Sequence, residues 1–117
     1  MSLGSANHVV LEGKVTRAER VRYTPAGLAV FDFEVAAGQS RFRKDSVGYF
    51  EVSVFDSPAE AASREIRIGS RVRIEGRLWG RKFRNTRGDR VTEVRVIAER
   101  CERVGVKHER SEKQRKA

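Results

Sequence analysis

Five segments of this 117-residue chain alternate between apolar and polar residues with a period of two, and they constrain its fold most strongly. Such alternation is typical of β-strands with one buried face, because successive side chains of a strand point to opposite sides. A chain of this length supports one hydrophobic core, so we expect one domain. We predict strands over residues 8–15, 29–36, 49–55, 70–83 and 91–98.

The alternation also assigns a core face and an outer face to each predicted strand. In the second strand Phe31 marks the core face, so Val30 and Asp32 should face outward. In the third strand the same rule places Ser53 outside, and in the fourth it places Leu78 inside. The predicted barrel therefore has an apolar interior and a heavily charged exterior.

The connections between the strands contain one turn and one helix start. Residues 24–27, Thr-Pro-Ala-Gly, are typical of a β-turn. Ser57 and Glu60 have the spacing of a capping box, which predicts a short helix that ends before Gly69. Gly13 and Gly76 occupy the apolar registers of their strands, which suits the tight coiling of a barrel.

Five strands with a short helix between the third and the fourth have the element order of the OB-fold, a partly open, all-β Greek-key barrel. We therefore predict a five-stranded OB-fold. A β-sandwich or an SH3-like barrel is the alternative for the same elements.

Composition narrows the partners of this domain. The net charge of +9 creates a positive field that attracts polyanions, with nucleic acid as the leading class and ribosome-associated or membrane-surface binding as alternatives. The single cysteine, Cys101, and two histidines at opposite ends of the chain form neither a disulfide framework nor a zinc site. We expect no metal and no cofactor. No apolar run approaches the roughly 20 residues of a membrane span, and we expect a cytoplasmic protein without membrane contact.

The outer register of the third and fourth strands carries four aromatic side chains, Tyr49, Phe55, Trp79 and Phe83, which we call the aromatic stripe. Large rings gain little from facing water, whereas stacking on an unpaired base contributes about 1–3 kcal/mol per base. The alternative is that a partner subunit covers the rings. Phe42, in the basic connection after the second strand, is a fifth stacking candidate, or else it packs beneath that connection.

Basic side chains flank the aromatic stripe, and we predict that they bind phosphates, although each could instead only improve solubility. The candidates are Arg22, Arg41, Arg43, Lys44, Arg71, Arg73, Arg77, Arg81, Lys82, Arg84 and Arg87. The chain shows no paired nucleophile and base and no glycine-rich phosphate loop. We therefore predict no enzymatic activity and no small-molecule substrate.

Several segments resemble the bacterial single-stranded DNA-binding protein family in their order along the chain. They are NHVVLEG at 7–13, VRYTPAGLAV at 21–30, FEVSVF at 50–55, GSRVRIEGRL at 69–78, RKF at 81–83 and TEV at 92–94. The resemblance covers residues 7–104 and implies an OB-fold that binds single-stranded DNA in replication, recombination or repair. It assigns base stacking to Tyr49, Phe55 and Phe83, and places a further family aromatic near Arg41 or Phe42.

The resemblance also implies a homo-oligomer, a tetramer or a dimer, in which the first strand forms an interface that buries Val10. Residues 105–117 depart from it, because they are basic where the family generally carries a long tail with an acidic tip. We expect a flexible leader over 1–6, one domain over 7–104, a disordered basic tail, and association with the nucleoid. A replication-restart module similar to primosomal replication protein N and an RNA-binding OB-fold protein are the alternative functions.

Overall fold

A computed structural model describes residues 5–38 and 46–104 of the chain. The elements are β1 (Val9–Ala18), β2 (Arg22–Tyr23), β3 (Ala29–Gly38), β4 (Val47–Phe55), α1 (Ser57–Glu65), β5 (Arg71–Arg84) and β6 (Arg90–Val104). The five predicted strands are confirmed as β1, β3, β4, β5 and β6. The additional strand, β2, was not predicted because two residues are too few to show a period.

The sheet closes into a barrel because β1 pairs with β5 along one edge and with β3 along the other. The strands follow the order β1-β5-β6-β4-β3-β2, and every pair is antiparallel except β4 with β6, where Val52 lies opposite Val96. Helix α1 connects β4 to β5. This is the OB-fold arrangement, so the predicted fold class is confirmed.

Two glycines allow neighbouring strands of the barrel to approach closely. A Cβ atom at Gly13 or at Gly76 would lie less than 3.0 Å from the backbone carbonyl oxygen of Ala36 or of Ile97, respectively. Any other residue at these positions would therefore push the backbones apart. The close approach agrees with the tight coiling expected at both glycines.

The core fills the barrel with side chains from every long strand and from α1. Phe31 and Phe33 stack within it, with ring centroids 5.2 Å apart. Ala59 brings α1 into contact with the same core, so the helix covers the interior. The buried cluster consists of Val15, Ala29, Phe31, Phe33, Val35, Val52, Val54, Ala59, Ile66, Val72, Ile74, Val96 and Ala98.

Three residues predicted to face outward are buried. Val30 is covered where β2 pairs alongside β3, with Arg22 opposite it. Asp32 and Ser53 are 8% and 0% exposed, because arginine side chains cover them and satisfy their polar atoms. The period of two is correct here, but an outer face is not necessarily a solvated face.

Leu78 departs from its prediction in the opposite direction, since it is 47% exposed rather than buried. From this residue onward β5 and β6 continue beyond the barrel as a two-stranded hairpin, and no strand of the described part of the chain faces its inner register. Asn7 lies beside the start of the hairpin, and its side-chain amide accepts from and donates to the backbone of Leu78, at 2.7 and 2.8 Å.

The turn at residues 24–27 is confirmed, with Gly27 at φ 88° and its N–H donating to the carbonyl of Thr24 at 2.8 Å. The predicted capping box at the start of α1 is wrong. The cap is Asp56, at φ 69°, whose side chain makes no capping hydrogen bond. Its backbone N–H instead donates to the carbonyl of Ala29 at 2.8 Å, which fixes the chain against β3 as the helix begins.

At its other end α1 stops at Glu65, so the predicted end before Gly69 is confirmed. Ile66 is already extended and its side chain is buried in the core. Gly69, at φ 96°, lies in the following turn, which the N–H of Ser70 closes onto the carbonyl of Arg67 at 2.9 Å. Within the described ranges, no helix is long and apolar enough to cross a lipid bilayer.

Cys101 packs against the core from β6, and this burial raises the pKa of its thiol to about 12. Since the thiolate is the reactive form, we expect iodoacetamide at about pH 8.5 to alkylate the folded protein at least about a hundredfold more slowly than the protein in urea. Peptide mass spectrometry measures both rates, with N-acetylcysteine as the solvent control. Equal rates in the two states would contradict the burial of Cys101.

Candidate nucleic-acid interface

An open groove of about 480 Å³ crosses the outer face of β4, β6 and β5, at the base of the hairpin. Strand pairing explains its layout, because Ser53 on β4 and Arg77 on β5 both lie opposite Ile97 on β6. The next two rows pair Trp79 with Arg95 and Arg81 with Glu93. The groove is lined by Arg22, Ser53, Phe55, Arg77, Trp79, Arg81, Glu93, Arg95 and Ile97.

The structure places the four rings of the aromatic stripe on the outer side of the sheet, and none belongs to the buried core. Phe55 and Trp79 line the groove together, with Trp79 40% exposed and Phe55 half-buried. Phe83 lies four residue pairs beyond the pair of Trp79 with Arg95 along the hairpin, and Tyr49 lies near the start of β4, where it is 64% exposed. Two stacking candidates therefore share one groove, and the other two lie outside it.

The guanidinium of Arg81 lies over the rings of its neighbours on the same strand face. Its central carbon is 4.4 Å from the ring centroid of Phe83 and 5.8 Å from that of Trp79. Glu93, across the strand pair, accepts a hydrogen bond from Arg81 Nε at 2.8 Å. Its other carboxylate oxygen accepts from Arg95 at 3.0 Å, and these two bonds lower the pKa of Glu93, with Arg81 the larger cause.

A polar network connects this carboxylate to the floor of the groove. Arg95 donates to the hydroxyl of Ser53 at 2.6 Å, and that hydroxyl donates to Asp32 at 2.6 Å. Arg22 donates to the second oxygen of Asp32 at 3.0 Å. Because buried polar groups need partners, each residue of this network holds the next in position.

A second charged cluster separates the groove from Tyr49. Arg17 donates to both carboxylate oxygens of Glu51, at 2.6 and 2.9 Å, and lies 3.7 Å from Glu34 and 3.5 Å from Glu19. The hydrogen bond to Glu51 is the main reason that the pKa of Arg17 is raised. Three carboxylates around one guanidinium make this part of the face locally acidic.

The predicted phosphate-binding residues fall into several groups. Arg22, Arg77 and Arg81 line the groove. Lys82 and Arg84 line a second groove, of about 410 Å³, together with Phe83. The backbone N–H of Arg87 bonds to the side chain of Asn85 in the hairpin turn. Arg71 and Arg73 lie on the first half of β5, opposite Lys14 and Glu12 of β1.

The four candidates of the loop between β3 and β4, Arg41, Phe42, Arg43 and Lys44, lie outside the described residues. Two residues central to the groove, Glu93 and Arg95, were not among the sequence-based candidates. Both occupy the outer register of the last strand, and this register is the sequence signal that could have identified them.

The model of the single-strand binding protein family matches residues 6–104, which include the whole barrel and the groove. The chain belongs to this family. The resemblance noted in the sequence is thereby confirmed.

Curated members of the single-strand binding protein family show the same relationship. Single-stranded DNA-binding protein 2 of Listeria innocua is 33% identical over 96 residues, covering 80% of this chain and 60% of the relative. The single-stranded DNA-binding protein of Deinococcus radiodurans is 35% identical over 109 residues, covering 88% and 36%. That of Streptococcus pneumoniae is 32% identical over 96 residues, covering 80% and 62%. The chain thus spans less than two thirds of the length of these relatives.

Proposed function

We propose that this protein binds and protects single-stranded DNA without sequence preference, in replication, recombination or repair. The observation that carries the proposal is the groove in which Phe55 and Trp79 lie together between Arg22, Arg77 and Arg81. Every base has a flat face, so aromatic platforms bind unpaired strands with little dependence on sequence. The names of the family members support the same ligand.

The proposed activity is binding and not catalysis. We assign it to a nucleic-acid-binding domain over residues 7–104, which follows a leader over 1–6 and precedes a basic tail over 105–117. The net charge of +9 supports this role, because it attracts a polyanion and accelerates encounter. A site of action on DNA in the cytoplasm, at the nucleoid, follows from the proposed ligand. The predicted loop candidates, Arg41, Phe42, Arg43 and Lys44, belong to this proposal as well.

We also propose that the protein acts as a homo-oligomer, a dimer or a tetramer. Val10, on the outer register of β1, is 47% exposed, and a second subunit would bury it. Light scattering on the free protein measures the mass directly. A mass of one chain at micromolar concentration would contradict this part of the proposal.

Fluorescence titration tests the proposed ligand, because Trp79 is the only tryptophan and it lines the groove. We expect oligothymidylate to quench this fluorescence, with an affinity that falls as salt rises. A duplex of equal length should bind much more weakly, because its bases are already stacked. Equal affinity for duplex would contradict the proposal, and tighter binding of the matched RNA oligomer would redirect it to RNA.

Arg77 offers a test of the phosphate contacts, since it lines the groove and its ion pair with Glu99 is long, at 3.6 Å. We expect Arg77→Ala to weaken binding and to reduce the slope of log K against log salt by about 0.7, the value for one phosphate contact on a single strand. Arg64→Ala, on the exposed side of α1, removes an equal charge as the control. An unchanged slope for Arg77→Ala would mean that this residue does not contact phosphate.

A further inference from the structure

Arg81 differs from Arg77, the other arginine that β5 contributes to the groove, in the groups that contact its guanidinium. Its guanidinium carbon lies over the ring of Phe83, at 4.4 Å from the centroid, and 5.8 Å from the centroid of Trp79, and its Nε–H donates to Glu93. Arg77, by contrast, approaches Glu99 only to 3.6 Å. The adjacent carboxylate, at 2.8 Å, offsets part of the charge of Arg81, so this residue attracts a phosphate less than Arg77 does. What Arg81 presents to a ligand is mainly a flat cationic surface.

The position of that surface follows from the strand. Trp79, Arg81 and Phe83 alternate along one face of β5, so the guanidinium lies next to both rings, closer to that of Phe83. A guanidinium plane stacks on aromatic groups in the same way as a ring does, and it attracts their π-electrons. The three side chains therefore form one stacking surface with three members.

Glu93 keeps Arg81 in this position, and Glu93 is itself held. One of its oxygens accepts from Arg81 and the other from Arg95, which is anchored on the buried hydroxyl of Ser53. Ser53 is in turn bonded to the buried carboxylate of Asp32. The orientation of an exposed arginine is thus connected to the buried wall of the barrel, and less side-chain entropy is lost when a ligand arrives.

We infer that Arg81, which lies between Trp79 and Phe83 on β5, binds an unpaired base by stacking on its guanidinium, and that Glu93 is the positioning residue that holds this guanidinium in place. The inference rests on the proposed binding of single-stranded DNA and changes the expected role of Arg81 from phosphate contact to base contact. It also explains an acidic residue in a groove that is proposed to receive a polyanion.

The test separates base contacts from phosphate contacts by comparing two ligands with the full-length protein. One ligand is oligothymidylate, and the other is an abasic oligomer of the same length, which keeps the phosphates and lacks the bases. The ratio of the Kd for the abasic oligomer to the Kd for oligothymidylate measures the contribution of the bases. Two variants are compared with the native protein, Arg81→Lys and Glu93→Gln.

Arg81→Lys keeps the charge and removes the plane, so we expect the ratio to fall by about two- to fivefold while the affinity for the abasic oligomer stays unchanged. Glu93→Gln keeps the shape and releases both arginines. It should also lower the ratio, while abasic binding becomes tighter and more salt-dependent because Arg81 and Arg95 lose the carboxylate of Glu93, which offsets part of their charge. The control variants are Arg64→Lys and Glu65→Gln on α1, with melting curves to verify folding.

An unchanged ratio in Arg81→Lys, together with equal tightening for both ligands in Glu93→Gln, would overturn the inference and return Arg81 to phosphate binding. A higher ratio in Arg81→Lys would overturn it as well, because Arg81 would then be blocking the rings. Failure of the proposed function has a different result, since the native protein itself would then bind oligothymidylate no more tightly than the abasic oligomer.

Discussion

Replacing both Phe55 and Trp79 with alanine is expected to weaken the binding of single-stranded DNA by about 2–6 kcal/mol, because each ring should contribute about 1–3 kcal/mol by stacking on one base. The two rings line the same groove, so one strand should contact both. The substitutions remove the tryptophan signal, and fluorescence anisotropy of a labelled oligothymidylate therefore measures the affinity. Circular dichroism should show an intact barrel, since neither ring belongs to the core.

Tyr23→Ala is the matched control for this double substitution. Tyr23 is another exposed aromatic residue, but it lies outside the groove and its hydroxyl donates to Glu60 at 3.4 Å. We expect its replacement to change the affinity by less than about twofold. A double variant that binds as the native protein does would mean that DNA does not use the groove, and one that unfolds would mean that the rings support the core.

Gly76→Ala is expected to reduce the free energy of unfolding by about 3 kcal/mol, at the upper end of the usual cost of overpacking. The new methyl group would collide with the backbone of Ile97 and Ala98 on β6, and backbone atoms cannot move aside as a flexible side chain can. Urea denaturation measures the change.

The neighbouring Gly80 provides a control on the same strand. A Cβ atom at this position would lie 3.4 Å from its nearest neighbour, an ordinary contact, so Gly80→Ala should change the stability by less than about 1 kcal/mol. Equal effects of the two substitutions would show that the glycine at position 76 is not required by the close approach of β5 and β6.

The order of the elements could be predicted because each long strand has a buried face, and burial imposes a period of two on its sequence. Leu78 is a residue for which the period of two does not predict burial. Its apolar register continues that of Ile74, but the barrel wall ends between them, and within residues 5–38 and 46–104 no sheet lies opposite the hairpin. A period shows which residues share a face and does not show whether another layer covers that face.

The groove shows the same limit of a periodic pattern for the outer face of the sheet. The rings and arginines of β4 and β5 could be predicted to face outward from their registers alone. The network of Asp32, Ser53 and Arg95 could not, because it depends on the parallel pairing of β4 with β6, which joins segments more than forty positions apart in the chain. Asp32 and Ser53 are buried for a tertiary reason that has no local signal.

The start of α1 shows a third kind of difference between the predicted and the observed structure. Ser57 and Glu60 match a capping box, yet the backbone N–H of Asp56 donates to the carbonyl of Ala29 and turns the chain toward β3. The side chain of Glu60 instead accepts a hydrogen bond from the hydroxyl of Tyr23. A local motif of this kind competes with the path that the barrel imposes on the chain. At the start of α1 the path of the chain around the barrel determines the geometry of the helix cap.

Photocrosslinking would test most directly whether the groove is the DNA site. A single-stranded oligomer carrying 5-iododeoxyuridine reacts on irradiation with aromatic side chains that stack on the modified base, and peptide mass spectrometry then identifies them. We expect crosslinks at Phe55, Trp79 and Phe83, suppressed by unlabelled oligothymidylate. Crosslinks confined to Tyr23, outside the groove, would contradict the assignment of the groove as the binding site.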